Sequence, residues 1–116
     1  MLEPIETARF AVDVIASKMG ADILLLDISD LTIIADYFVI ATGESERQIK
    51  AITEELVHQL KEKHALLPLS VEGTPMSGWV LLDYGSVVIH IFSERQRNRY
   101  QLEELWQKAR TVVRMA

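Results

Sequence analysis

The sequence predicts one α/β domain over residues 1–116, a mixed β-sheet flanked by helices, and three observations predict it. Two stretches carry apolar residues at helical spacing near the start and the middle of the chain. Two short apolar runs lie between them, the second rich in aromatic and β-branched residues. A third region reads as a hairpin whose alternate side chains sort into an aliphatic face and a mixed one. Sheets and amphipathic helices each bury one face, so layering them is the natural solution.

Residues 4–19 place Ile5, Ala8, Val12, Ile15 and Met19 on one helical stripe, with Pro4 at the start and Gly20 just past the end. Residues 22–28 (DILLLDI) read as a buried strand and residues 36–42 (DYFVIAT) as a second. Gly43 breaks that strand, and Ser45 with Gln48 three residues later predicts a capping box. The helix that follows, to about His64, has Ile49, Ile52, Leu56 and Leu60 on one stripe. Residues 68–78 read as a loop with a short strand near 69–71. A hairpin occupies residues 79–92, and Leu102, Leu105, Trp106, Ala109 and Val113 mark a last helix.

The hairpin is the most informative stretch. With Tyr84 and Gly85 as a two-residue turn, Trp79 faces His90 and Leu82 faces Val87. One face then carries Val80, Leu82, Val87, Ile89 and Ile91, which belong under helices. The other mixes Trp79, Leu81, Val88 and Phe92 with Asp83, Ser86 and His90. That mixture suits a partner-binding hot spot, and equally a covered face with its polar groups at the turn.

Charge and composition exclude several classes. The chain has no cysteine, which removes disulfides, zinc–thiolate sites and a thiol nucleophile. Its N-terminus lacks the basic and continuous apolar regions of a signal peptide, and aspartates interrupt every apolar run well short of the roughly 20 residues that span a bilayer. A soluble cytoplasmic protein with no membrane contact is expected. The net charge of −5 argues against a nonspecific nucleic-acid binder, but residues 94–116 carry six Lys/Arg against three Asp/Glu. A basic C-terminal segment on an acidic body suits one oriented docking surface, or a helix whose cations complement its dipole.

No constellation for catalysis emerges. His58 and His64 read as solvated helix residues, and neither they nor His90 have metal-ligand spacing. TGESERQ occupies the strand-to-helix position of a phosphate cradle, yet lacks its lysine and clustered glycines, and Glu44 and Glu46 would repel phosphate. Asp27, Asp30, Asp36 and Asp83 form no alternating acidic pair for magnesium. A protein that is not an enzyme, without cofactor or metal, is expected.

Three stretches, residues 35–52 (ADYFVIATGESERQIKAI), 71–92 (VEGTPMSGWVLLDYGSVVIHIF) and 99–106 (RYQLEELW), together resemble the ribosomal silencing factor family, also called RsfS or iojap-like. The likeness departs at Ala35 and Ser86, where the family commonly has Ser and Asp, and in the arginine-rich SERQRNRY. The resemblance implies a nucleotidyltransferase-like fold without catalytic acids. It also implies a translational repressor that binds ribosomal protein L-fourteen on the large ribosomal subunit and sterically blocks joining of the small subunit. The free protein would be a homodimer. Its partner-binding residues would correspond to Trp79, Asp83, Tyr84, His90 and Phe92, with Arg97 and Tyr100 nearby. Of Arg95, Arg97 and Arg99, a modest contribution to binding is expected from Arg97 and none from the other two. Whether any of them reaches ribosomal RNA stays open at this point, as do two other functions, an assembly factor for the large subunit and a nucleotidyltransferase-like enzyme.

Overall fold

Pro4 at the first helical position and Glu6, whose carboxylate accepts the Glu3 N–H at 3.0 Å, start helix α1 (Pro4–Ser17). The computed structural model that shows this describes residues 2–116. Strands β1 (Ala21–Asp27) and β2 (Tyr37–Gly43) follow, then helix α2 (Glu46–His64) and strands β3 (Ser70–Thr74), β4 (Trp79–Asp83) and β5 (Val87–Ser93). Two short helices, α3 (Glu94–Tyr100) and α4 (Leu102–Leu105), lead to a last strand, β6 (Arg110–Met115).

The six strands form one sheet in the order β3-β4-β5-β2-β1-β6. β2 and β5 run parallel and every other pair is antiparallel, so the sheet is mixed as the sequence predicts. Helices α1 and α2 lie on one face. Ala8, Ala11, Val12 and Ile15 of α1 and the stripe Ile49, Ile52, Leu56, Leu60 of α2 close there on Val80, Leu82, Val87, Ile89 and Ile91, all buried. Gly43 lets the first turn of α2 pack down, because a Cβ there would lie 2.6 Å from the Ile49 side chain.

The capping box is only half formed. Ser45 accepts from the Gln48 N–H at 3.1 Å, but the Gln48 side chain does not return to Ser45. Its amide instead accepts the Glu44 N–H and donates to Met19 O at 2.8 Å, joining the start of α2 to the end of α1. β3 is longer than expected because its whole length pairs with β4.

The hairpin register also differs. Trp79 pairs with Phe92 and Leu82 with Ile89, and the Tyr84 N–H donates to Val87 O, so the two-residue turn is Gly85–Ser86. The first central position of such a turn needs positive φ, which Gly85 supplies at 87° and Tyr84 does not. Asp83 accepts the Gly85 N–H at 2.7 Å and fixes the corner. The strands slip by two residues in all, which preserves the alternation, so the expected faces stand.

The C-terminal helix is a correction. Gln101 in the left-handed region (φ 47°) ends α3, α4 is a single turn, and residues 110–115 form β6 against β1. The run Thr111, Val112, Val113 favours extended backbone, and β1 has an edge that needs a partner. The spacing of Leu102, Trp106 and Ala109 reflects packing all the same, since all three cover the second face of the sheet.

Candidate partner-binding face

The second face of the sheet holds its own core. Leu24, Leu26, Ile28, Ala35, Phe38, Ile40, Val88 and Phe92 are buried there, with Leu102 and Trp106 packed over them. The mixed hairpin face is therefore covered along part of its length and open along the rest. The centre is covered, and the end at Trp79 is open.

That open end is built from aromatic rings. Trp79 stacks on Phe92 at 4.8 Å between centroids and lies 4.7 Å from Tyr100 at the end of α3. Behind it, His90 meets Phe38 edge-on at 4.8 Å, and Phe38 meets Trp106 at 5.2 Å. Trp79, Tyr100 and Leu81, with Glu72, Ser77 and Gln96, line a shallow groove of about 370 Å³. Met76, in the adjoining turn between β3 and β4, is exposed.

Two glycines allow this arrangement. Gly73 (φ 78°) has no room for a Cβ against the carbonyl of Trp79. Gly78 (φ 81°) lets Ser93 and Gln96 approach to where a Cβ would stand. Gln96 donates to Ser77 O at 3.1 Å, and Ser93 caps α3 by accepting the Gln96 N–H, so the β3–β4 turn and α3 are fastened together beside Trp79. Reading the sequence missed Gln96 as part of the site. The Ser-x-x-Gln pattern at residues 93–96 was the available signal for the cap.

The expected site residues separate into groups. Trp79 and Tyr100 share the open groove. His90 and Phe92 are 3% and 0% exposed, so neither is a surface residue; the segment carrying α3 and α4 covers them. Asp83 lies on the Trp79 side of β4, but four residues away, roughly 13 Å along the strand, with its carboxylate engaged by Gly85. Tyr84 faces the other way. It shares the alternation of Val80 and Leu82, packs on the helix-side core, and burial of its hydroxyl pushes its pKa up to about 12.

Arg97 turns inward. Its Nε donates to Glu103 at 2.9 Å, and its Nη1 to Asp22 O at 2.6 Å and Thr42 Oγ1 at 2.8 Å. Arg95 and Arg99, one helical turn apart, are exposed and unpaired among the described residues, and the Arg99 guanidinium lies 5.5 Å from the Tyr100 ring centroid. Asp27, an acid considered for catalysis, is held below its usual pKa by Ser29, whose hydroxyl and N–H donate to it, and by Arg110. Among the described residues no three His, Asp or Glu side chains converge as metal ligands would.

Burial pushes the His90 imidazole down to about 4, so it is neutral at pH 7. The unfolded chain binds a proton near pH 6.5 that the folded chain refuses, and stability therefore falls as pH drops from 6.5 towards 4. His90 alone accounts for about 3 kcal/mol over that window. Urea denaturation at pH 7 and pH 4.5 should show the loss, and His90→Phe should reduce it. An equal loss in the variant would assign it to other groups.

The profile of the family described as "Ribosomal silencing factor during starvation" matches residues 2–115. A "Ribosomal silencing factor RsfS" of Halalkalibacterium halodurans is 36% identical over 92% of this chain and 91% of its own. "Mitochondrial assembly of ribosomal large subunit protein 1" of Mus musculus is 31% identical over 85% of this chain, which spans 46% of that protein. A crystal structure from Chromobacterium violaceum superposes with a TM-score of 0.86 at 34% identity, covering 99% of this chain and 97% of the other.

Proposed function

Since the chain belongs to the ribosomal silencing factor family, we propose that it represses translation by docking on ribosomal protein L-fourteen of the large subunit and keeping the small subunit from joining. The observation that carries this is the open aromatic groove at Trp79. Large, rigid rings with polar edges, half desolvated beside exposed Met76 and Tyr100, are what a protein–protein hot spot is made of. The body behind the groove measures 33 × 32 × 24 Å, so bulk alone separates two close-fitting surfaces and no chemistry is needed. The open edge of β3, with Leu69 and Val71 exposed beside it, supports a homodimer of the free protein.

Sedimentation of separated subunits tests the proposal. Joining should fall in proportion to the fraction of large subunits occupied, without dependence on nucleotide. Full inhibition by substoichiometric protein would overturn the steric account and point to catalysis. A second function has its own support in the name of the mouse relative, assembly of the large subunit. Full occupancy with undiminished joining would favour it.

The two outward arginines extend the docking face towards ribosomal RNA. Arg95→Gln with Arg99→Gln should lower affinity by about 1 kcal/mol and make its salt dependence shallower, by nearly one unit of log–log slope per arginine. An unchanged slope would leave both as solvated surface charges.

A further inference from the structure

We propose that His90 is a positioning residue for docking: its neutral imidazole accepts the Trp79 indole N–H and fixes which edge of the indole faces the groove. This rests on reading that groove as the docking site. Trp79 and His90 project from the same face of neighbouring antiparallel strands, two residues out of register, a diagonal that large side chains can bridge. Trp79 Nε1 lies 3.2 Å from His90 Nδ1. An indole N–H only donates, so Nδ1 is the bare nitrogen and the ring proton sits on Nε2. Nε2 is buried and has no hydrogen-bond partner among the described residues.

That unpartnered donor is the reason to assign His90 a task. For packing alone, phenylalanine would fill the site between Phe38 and Phe92 and leave no polar atom stranded. Histidine adds one thing that phenylalanine lacks, an acceptor aimed at Trp79. Stacking on Phe92 and the tilted contact with Tyr100 constrain the plane of the indole, but neither contact is directional about which edge carries the N–H. The hydrogen bond removes the choice. The edge presented to a partner is then fixed before the partner arrives, which lowers the ordering cost of binding.

The lock holds only while His90 is neutral. From β2 it is faced by Phe38 and Ile40, from β4 by Trp79 and Leu81, and Leu102 and Trp106 close the same cluster. Tyr100 of α3 packs on Trp79 at a tilt, Glu72 of β3 stands across Leu81 in the groove, and among the described residues no ion pair involves the imidazole. Burial holds the imidazole near 4, far below neutrality. Protonation would turn Nδ1 into a donor and break the bond.

The free 15N-labelled protein should show a through-hydrogen-bond coupling between Trp79 Nε1 and His90 Nδ1, with the indole resonance assigned by its loss in Trp79→Phe. That signal should titrate away towards pH 4. His90→Phe should release the indole to solvent exchange and weaken large-subunit binding about tenfold. His90→Asn, whose amide oxygen can stand where Nδ1 stood, should restore most of both. No coupling in the wild type, undiminished binding by His90→Phe, or equal failure of folded Phe and Asn variants would each overturn the proposal. If wild type did not bind the large subunit, the docking reading would fail instead, while the coupling would still report whether the lock exists.

Discussion

Trp79→Ala is expected to weaken binding to the large subunit by about 2 kcal/mol, roughly 30-fold, or more. The indole is the largest side chain lining the groove, and truncation removes the surface that a partner would desolvate. It also removes the rings' contacts with Phe92 and Tyr100, so the variant should lose roughly 1–2 kcal/mol of stability as well. From the sequence, an exposed anchor could be removed with little change in thermal midpoint. The half-buried stack makes some loss unavoidable. Affinity must therefore be measured well below the variant's own melting point. Normal binding by the folded variant, with stability lost, would show that Trp79 is core.

Arg97→Gln should show the reverse pattern, a stability loss of about 2 kcal/mol with the affinity of the folded protein intact. The Arg97 side chain, 12% exposed, joins Glu103 of α4 to Asp22 at the start of β1 and Thr42 near the end of β2. Hydrogen bonds to a charged group contribute roughly 1.5–3 kcal/mol each when lost, and the one-third exposure of Glu103 reduces the share of the ion pair. Urea denaturation reads the first quantity and co-sedimentation with large subunits the second. If affinity fell while stability held, Arg97 would belong on the docking face.

These two residues show what the sequence revealed and what it hid. Trp79 was legible because strand alternation is a local rule, and the rule survived an incorrect turn. Tyr84, read as a turn residue and carried to the site by the resemblance, continues the alternation of Val80 and Leu82 and packs on the helix side. The charge of Arg97 was visible, but its acceptors lie at Asp22 and Thr42, which only the tertiary fold brings near. Helices α1 and α2 show one clear period over their length, strands β1 and β2 are short continuous apolar runs, and all four form where expected. At the C-terminus Leu102, Trp106 and Ala109 imitate a helical stripe while covering the second core from a turn, and the β-branched run after them obeys the needs of β1. The segment 28–36 closes part of that second core without any regular period, so nothing local announced it.

β6 has a single neighbour in the sheet, β1, and Ile23 pairs with Met115. The sheet is thus closed by joining the first strand of the chain to the last. Contacts so remote in sequence form late, because almost the entire chain must be ordered or looped before they reward the search. Until then β1 offers a bare edge bearing Ile23, Leu24, Leu25 and Leu26, a template for pairing with another chain. A newly made molecule therefore passes through an interval of vulnerability to aggregation, and the arrival of residues 110–115 ends it.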